Sequence, residues 1–192
     1  MQRLKQVKLL RNIRKVHRIV GVFLFIAFIV MSISGLLLGI KKHSGGIILS
    51  KSHIGSNLDM TKFLSIDSLN SLANKYLHSK VSAALSADVD RIEIRQDKGM
   101  IKFTFKEHYY ALQIDATTGE LLHVERRYAD LIENIHDASI LDKVFNTDGE
   151  PIKLIYTIVM ALSLLIFSIT GFWMWLGPKI LRKKIRRLSI SR

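Results

Sequence analysis

The sequence contains no cysteine. That excludes a disulfide framework, a cysteine nucleophile and an iron–sulfur cluster held by thiolates. Any exported domain must therefore fold on its own apolar core. Acids are missing from both ends. Residues 1–18 carry seven Lys/Arg, residues 177–192 carry seven more, and neither stretch has an Asp or Glu. Aromatic residues are missing from both ends too. A basic tail without aromatics offers no surface for stacking bases, so the net charge of +13 is not read as nucleic-acid binding. G-x-S-x-G, P-loop and H-E-x-x-H motifs are absent, and no hydrolytic or phosphoryl-transfer chemistry shows itself. No nicotinamide or flavin fingerprint is present, so any electron donor is external. Internal repeats and low-complexity tracts are absent as well.

What is present is apolar and clustered. From Ile19 to Ile40 no residue is ionisable, a run of 22 residues. At about 1.5 Å per residue it reaches roughly 33 Å, enough for a bilayer core. A second run covers 155–176. The first is too long for a cleaved signal peptide and lacks a small-residue exit. The remaining 15 Lys/Arg and all 16 acids lie in 41–154, a net of −1. The basic excess thus sits beside the spans. That pattern predicts both termini in the cytoplasm, the middle exported, and contact of the tails with anionic lipid. The expected plan is a basic segment 1–18, a span 19–40, an exported domain 41–127, an amphipathic outer-surface segment 128–154, a span 155–176 and a basic tail 177–192. Leu4, Val7, Leu10 and Ile13 extend helical spacing into the first segment. His17, Gly21, Leu24, Phe28, Ser32, Gly35 and Gly39 fall on one helical stripe. Its small residues predict close packing against a helix, a flat ligand or a second copy.

The exported part is predicted to be α+β. Ile47–Ser50 suits a short strand, and 51–64 has no clear period. Ser65 or Asp67 caps a helix whose apolar face is Ile66, Leu69, Leu72, Ala73, Tyr76 and Leu77. The period then changes to two. Ile92 and Ile94, then Ile101, Phe103 and Phe105, then Tyr110, Leu112 and Ile114, then Leu122 and Val124 alternate with polar residues. Turns fall at Asp97-Lys98-Gly99, Glu107-His108 and Asp115–Gly119. The expectation is a one-sided antiparallel sheet covered by a helix. Tyr128–Leu141 reads as one amphipathic helix on the outer membrane surface.

The run Tyr110-Ala111-Leu112-Gln113-Ile114-Asp115-Ala116-Thr117-Thr118-Gly119-Glu120-Leu121-Leu122 resembles the strand–turn–strand signature of PepSY domains. His17-Arg18-x-x-Gly21 with Ser34-Gly35 is similar to the first helix of the PepSY-associated transmembrane family. Ile135-His136 and Thr170-Gly171-x-Trp173-x-Trp175 are similar to its next one. The resemblance runs from about Lys15 to Pro178. It implies two transmembrane helices flanking an exported PepSY-like helix-plus-sheet domain. Known members include haem-containing reductases that carry electrons across the membrane to ferric siderophores. Those have four spans in one chain, whereas this chain has two.

The resemblance implies haem b, with His17, His136 and His43 as candidate axial ligands. No histidine lies in the middle of a span, so one chain encloses no mid-membrane bis-histidine haem. A twofold dimer doubles each histidine and restores four spans. His17 on the cytoplasmic side and His136 on the outer side, roughly 30 Å apart, would serve separate haems, with His43 in reserve outside. The implied function is electron transfer from an external donor to ferric iron or a ferric chelate, an oxidoreductase of ferric-reductase type. Each residue also has a plainer reading. Alone, His17 is equally a headgroup-level polar residue, and His136 a surface histidine. His53, His78, His108 and His123 read as solvated. Gly35-x-x-x-Gly39 is ordinary helix packing, and Trp173 and Trp175 form an interfacial anchor. The competing function is a haem-free, membrane-tethered binding or regulatory module, akin to protease-inhibitory propeptides or to an assembly factor.

Overall fold

The computed structural model describes residues 2–190. Side chains at 1–6, 181 and 184–192 lie outside the described residues, and with them Leu4 and most of the basic tail. The elements are α1 Gln2–Ile40, α2 Ile66–Tyr76, β1 Val89–Arg95, β2 Met100–Phe105, β3 Tyr110–Asp115, β4 Leu121–Arg126, α3 Tyr128–His136, α4 Ser139–Phe145 and α5 Pro151–Ile190. The chain divides into two compact units. One is built from 1–34 with 135–192, the other from 35–134.

The central unit is a four-stranded antiparallel meander in the order β1-β2-β3-β4. Ile101, Phe103, Phe105, Leu112 and Ile114 are at most 1% exposed and pack with Leu69, Ala73 and Leu77 of the covering helix. Ser65 is the cap chosen, its hydroxyl accepting from the Ser68 amide at 3.2 Å. The register breaks between Gln113 and Ile114. One residue of shift turns a strand over, so Leu121 rather than Leu122 joins Val124 against the core. Ile94 is also a departure, at 47% exposed. It lies near the end of edge strand β1, while α2 packs over β3.

The sheet is not one-sided. Thr104, Gln113 and Glu125 on the opposite face are 0%, 1% and 3% exposed. The segment 51–58, unpatterned in sequence, is the strap that reaches this sheet. Its His53 amide donates to Gln113 Oε1 (2.9 Å), and Gln113 Nε2 donates to the Lys51 carbonyl (3.1 Å). The Gly55 amide donates to the Lys98 carbonyl, and the Ser56 amide to Asp115 Oδ2. A Cβ on Gly55 would collide with the Gly99 carbonyl oxygen, which is why the strap needs glycine there. Glu125 is matched by Lys102 Nζ at 2.9 Å and Gln113 Nε2 at 3.1 Å, as a buried charge requires. Ile47–Ser50 is a series of bends rather than a strand, although the Ile48 carbonyl accepts from the Ala129 amide. The Asp115–Gly119 turn forms as read. Asp115 Oδ1 accepts from the amides of Thr117 and Thr118 and the chain reverses at Gly119, φ +75°. These amides, with that of Ser56, hold the Asp115 carboxyl below its ordinary pKa. Burial, the largest single effect, opposes them.

The other unit pairs α1 with α5 in antiparallel fashion. Leu10 meets Gly177, His17 meets Thr170, and Gly21 meets Phe167. Both helices are long and apolar enough to cross a membrane. The expected single helix 128–141 is broken. Ala138 is left-handed (φ +62°), and Asp137 Oδ1 accepts from the Ser139 amide and hydroxyl. An aspartate that turns back on the next backbone competes with helix. Asp142 of α4 then caps α5. Its carboxylate accepts from the Thr147 hydroxyl and from the amides of Ile152 and Lys153, two donors that the helix itself leaves unpaired. Burial pushes this carboxyl up, but the bonds and the Lys153 charge outweigh it and hold it low. Trp175 lies under the Lys179 ammonium, 3.6 Å from ring centroid to Nζ.

Candidate functional site

Two histidines of the helical unit are held in the same way. His17 on α1 has Nδ1 2.8 Å from Thr170 Oγ1 on α5. Its ring packs on Phe167, centroids 3.8 Å apart. Gly171 lies 3.7 Å from His17 Cε1, measured from the Cβ it lacks. Gly21 completes the fit. A side chain there would press on the Phe167 ring at 3.0 Å. The stripe from His17 through Gly21 to Phe28 therefore faces α5 of the same chain, with Phe28 5.7 Å from the Phe167 ring. Gly39, farther along the stripe, has open space where a Cβ would stand, with none of the described residues within 4 Å.

His136 ends α3, and its Nδ1 lies 2.9 Å from Ser34 Oγ on α1. Ser34 is six residues before Ile40, about 9 Å back along the helix. His136 thus meets α1 inside its charge-free run, not beyond its end. Ser34 follows His17 by 17 residues. The two histidine anchors are therefore about 25 Å apart along α1, and about 100° apart around it. That separation is too large for one metal atom. His43 is exposed on the 3-10 turn Lys41–His43, in the other unit.

A groove of about 380 Å³ runs along α1 from Gly21 to Ile33. Phe25, Phe28, Ile29, Ile33 and Phe167 line it with Gly21 and Ser32. Its walls suit a flat apolar ligand. A haem needs an imidazole with a free ring nitrogen and an apolar bed. Among the described residues His17 and His136 each have Nδ1 engaged and Nε2 without such a bond, and the groove supplies apolar surface that begins one helical turn from His17, at Gly21. The residues present fit the group. Among the described residues no cluster of three or more His, Cys, Asp or Glu could hold a bare metal ion.

The sequence pointed to both histidines but not to the hydroxyls that hold them. Ser34 and Thr170 stand inside the matching motifs, yet pairing Thr170 with His17 needs the register of α1 against α5, and pairing Ser34 with His136 needs the end of α3 placed against α1. A polar hydroxyl inside an apolar run was the available signal. Ser32, which was on the expected stripe, bonds its own helix at the Phe28 carbonyl and faces the groove.

One family profile, described as the PepSY-associated TM region, matches residues 2–177. Neither a curated protein nor a solved structure matches the chain.

Proposed function

Taking as premise that the chain belongs to the family of PepSY-associated TM regions, we propose that it is a haem b electron-transfer protein of the bacterial cytoplasmic membrane. The supporting observation is the pair of histidines at two levels of the helical unit, each with Nδ1 held by a hydroxyl. His17 would hold one haem near the cytoplasmic face, and His136 another toward the outside. His43 is the reserve outer ligand. A bound haem supplies one-electron chemistry. The chain's part is to fix each imidazole, to supply apolar walls at Gly21, Phe28 and Phe167, and to limit water at the His17 level.

Each chain offers one histidine at each level, so a bis-histidine haem draws its second ligand from another copy. The protein therefore acts as a homodimer in this reading. Both termini are cytoplasmic and the sheet unit is periplasmic or extracellular, as the acid-free basic ends favour. The donor is external, since the chain carries no nucleotide or flavin motif. The acceptor class is ferric iron or a ferric chelate, which makes the activity that of a ferric-reductase-type oxidoreductase.

The test is the visible spectrum of the purified protein, oxidised and then reduced with dithionite. A sharp reduced α band is expected. His17→Ala and His136→Ala should each remove part of it, and the double variant should be colourless. Wild-type protein that is colourless despite ample haem sinks this reading and leaves a haem-free, membrane-tethered PepSY module in its place.

A further inference from the structure

We propose that Thr170 and Ser34 are tautomer-fixing positioning residues: each forces its histidine to carry the proton on Nδ1 and leaves Nε2 with a free lone pair. This deepens the haem reading and rests on it for its purpose, but its proton argument stands on geometry alone.

The argument is a count of protons. A serine or threonine hydroxyl has one proton to donate. Ser34 Oγ lies 2.6 Å from the Val30 carbonyl and 3.3 Å from that of Met31. A carbonyl only accepts, so the Ser34 proton is committed to its own helix. The same oxygen lies 2.9 Å from His136 Nδ1. With its proton used, it can only accept there. The N–H must therefore be on Nδ1. Thr170 repeats the pattern on the other long helix. Its Oγ1 is 2.6 Å from the Ile166 carbonyl and 3.2 Å from that of Phe167, and 2.8 Å from His17 Nδ1. A neutral imidazole has a single N–H, so Nε2 is the unprotonated nitrogen in both rings. That is the form in which imidazole binds a metal.

Two unrelated positions, on two helices, reach the same solution. Metal-bound histidines usually donate the second N–H to a carboxylate, a carbonyl or water. A carboxylate inside an apolar span would be a costly charge. A hydroxyl backed by a helical carbonyl gives an uncharged acceptor, polarised by the bond behind it. An N–H donated to such an acceptor makes the opposite nitrogen a better electron donor. Losing it should weaken metal binding about 10–100-fold, the usual effect of removing such a partner, and raise the midpoint potential of the bound iron.

The test uses the full-length chain in detergent or nanodiscs, labelled with 15N-histidine. The imidazole nitrogens are read by NMR without haem, at mildly alkaline pH where a free imidazole is neutral. His17 and His136 should both show a protonated Nδ1 and a bare Nε2. Thr170→Val, of nearly the same shape, should scramble His17 alone. Ser34→Ala should scramble His136 alone. Thr170→Ser and Ser34→Thr should restore the wild-type pattern. Titration with haemin should then show weaker binding and a higher potential in Thr170→Val than in Thr170→Ser. A wild-type protein with the proton on Nε2 overturns the proposal. So do variants that leave tautomer, haemin affinity and potential unchanged. If the Nδ1 proton is fixed but haemin does not bind, the tautomer inference stands and the haem reading falls.

Discussion

His123 sits on β4 with its ring stacked on that of His53, centroids 4.7 Å apart and planes 27° from parallel. Burial, then the neighbouring His53, push its pKa down, and Glu125 only partly opposes them. The folded state thus takes up the proton less readily than the unfolded chain, whose histidine titrates near 6.5. The stabilising share of His123 is present above that value and is lost as the pH falls through the lower folded one. His53 belongs to the strap, whose amide at this residue is bonded to Gln113. Protonation of His123 therefore places a charge against the His53 ring, between strap and sheet. Acidification from neutral pH to about 5 should lower the unfolding temperature of the protein and loosen the strap first. Amide hydrogen exchange at Gly55 and Ser56 reads the loosening. His123→Gln should flatten the response. Equal exchange at both pH values in the wild-type protein would show that the pair does not act on the strap. From the sequence His53 and His123 read as two separate, solvated histidines. Their meeting depends on a strap with no period, and no pattern in the chain reports it.

At the level of elements, the period of two carried the sheet, the turns and most of the core. Phe103 is the clearest case, alternating with Lys102 and Thr104 and 0% exposed. Phe103→Ala should cost about 3–5 kcal/mol, since it deletes a ring from a closed core. Chemical unfolding of the full chain, followed by tryptophan-independent probes such as exchange in β2 and β3, measures it. A change within error would show that this face is not the core. Three departures had physical causes that alternation does not encode. The bulge beside Ile114 exchanged Leu122 for Leu121. The edge position of β1 left Ile94 half exposed. Asp137 broke the expected helix by accepting from Ser139, and Asp142 then used α4 to cap α5. The candidate site divides in the same way. His17 and His136 were visible as histidines at the ends of apolar or amphipathic stretches. Thr170 and Phe167 took on meaning only when α5 was set antiparallel against α1, and Ser34 only when the end of α3 was set against α1.

At the scale of the whole molecule, the deciding question is which side of the membrane each level faces. The 14 Lys/Arg of the two ends stand against no acid, while 41–154 is nearly balanced. Moving either end across would carry seven Lys/Arg with it, so the basic side is expected to stay inside. On that expectation the segment 41–154 is exported and the level of His17, next to the basic N-terminal end, faces the cytoplasm. The absence of cysteine makes this directly measurable, because one introduced thiol is the only one in the chain. Ser79 is exposed on the turn after α2. Ser79→Cys in intact spheroplasts should react with a membrane-impermeant maleimide, and a cysteine at Ser189 should react only after lysis. The reverse labelling would invert the chain. His17 would then face the outside and His136 the cytoplasm. Modification of Ser79→Cys from both sides would show mixed insertion, which a basic excess confined to both ends should prevent.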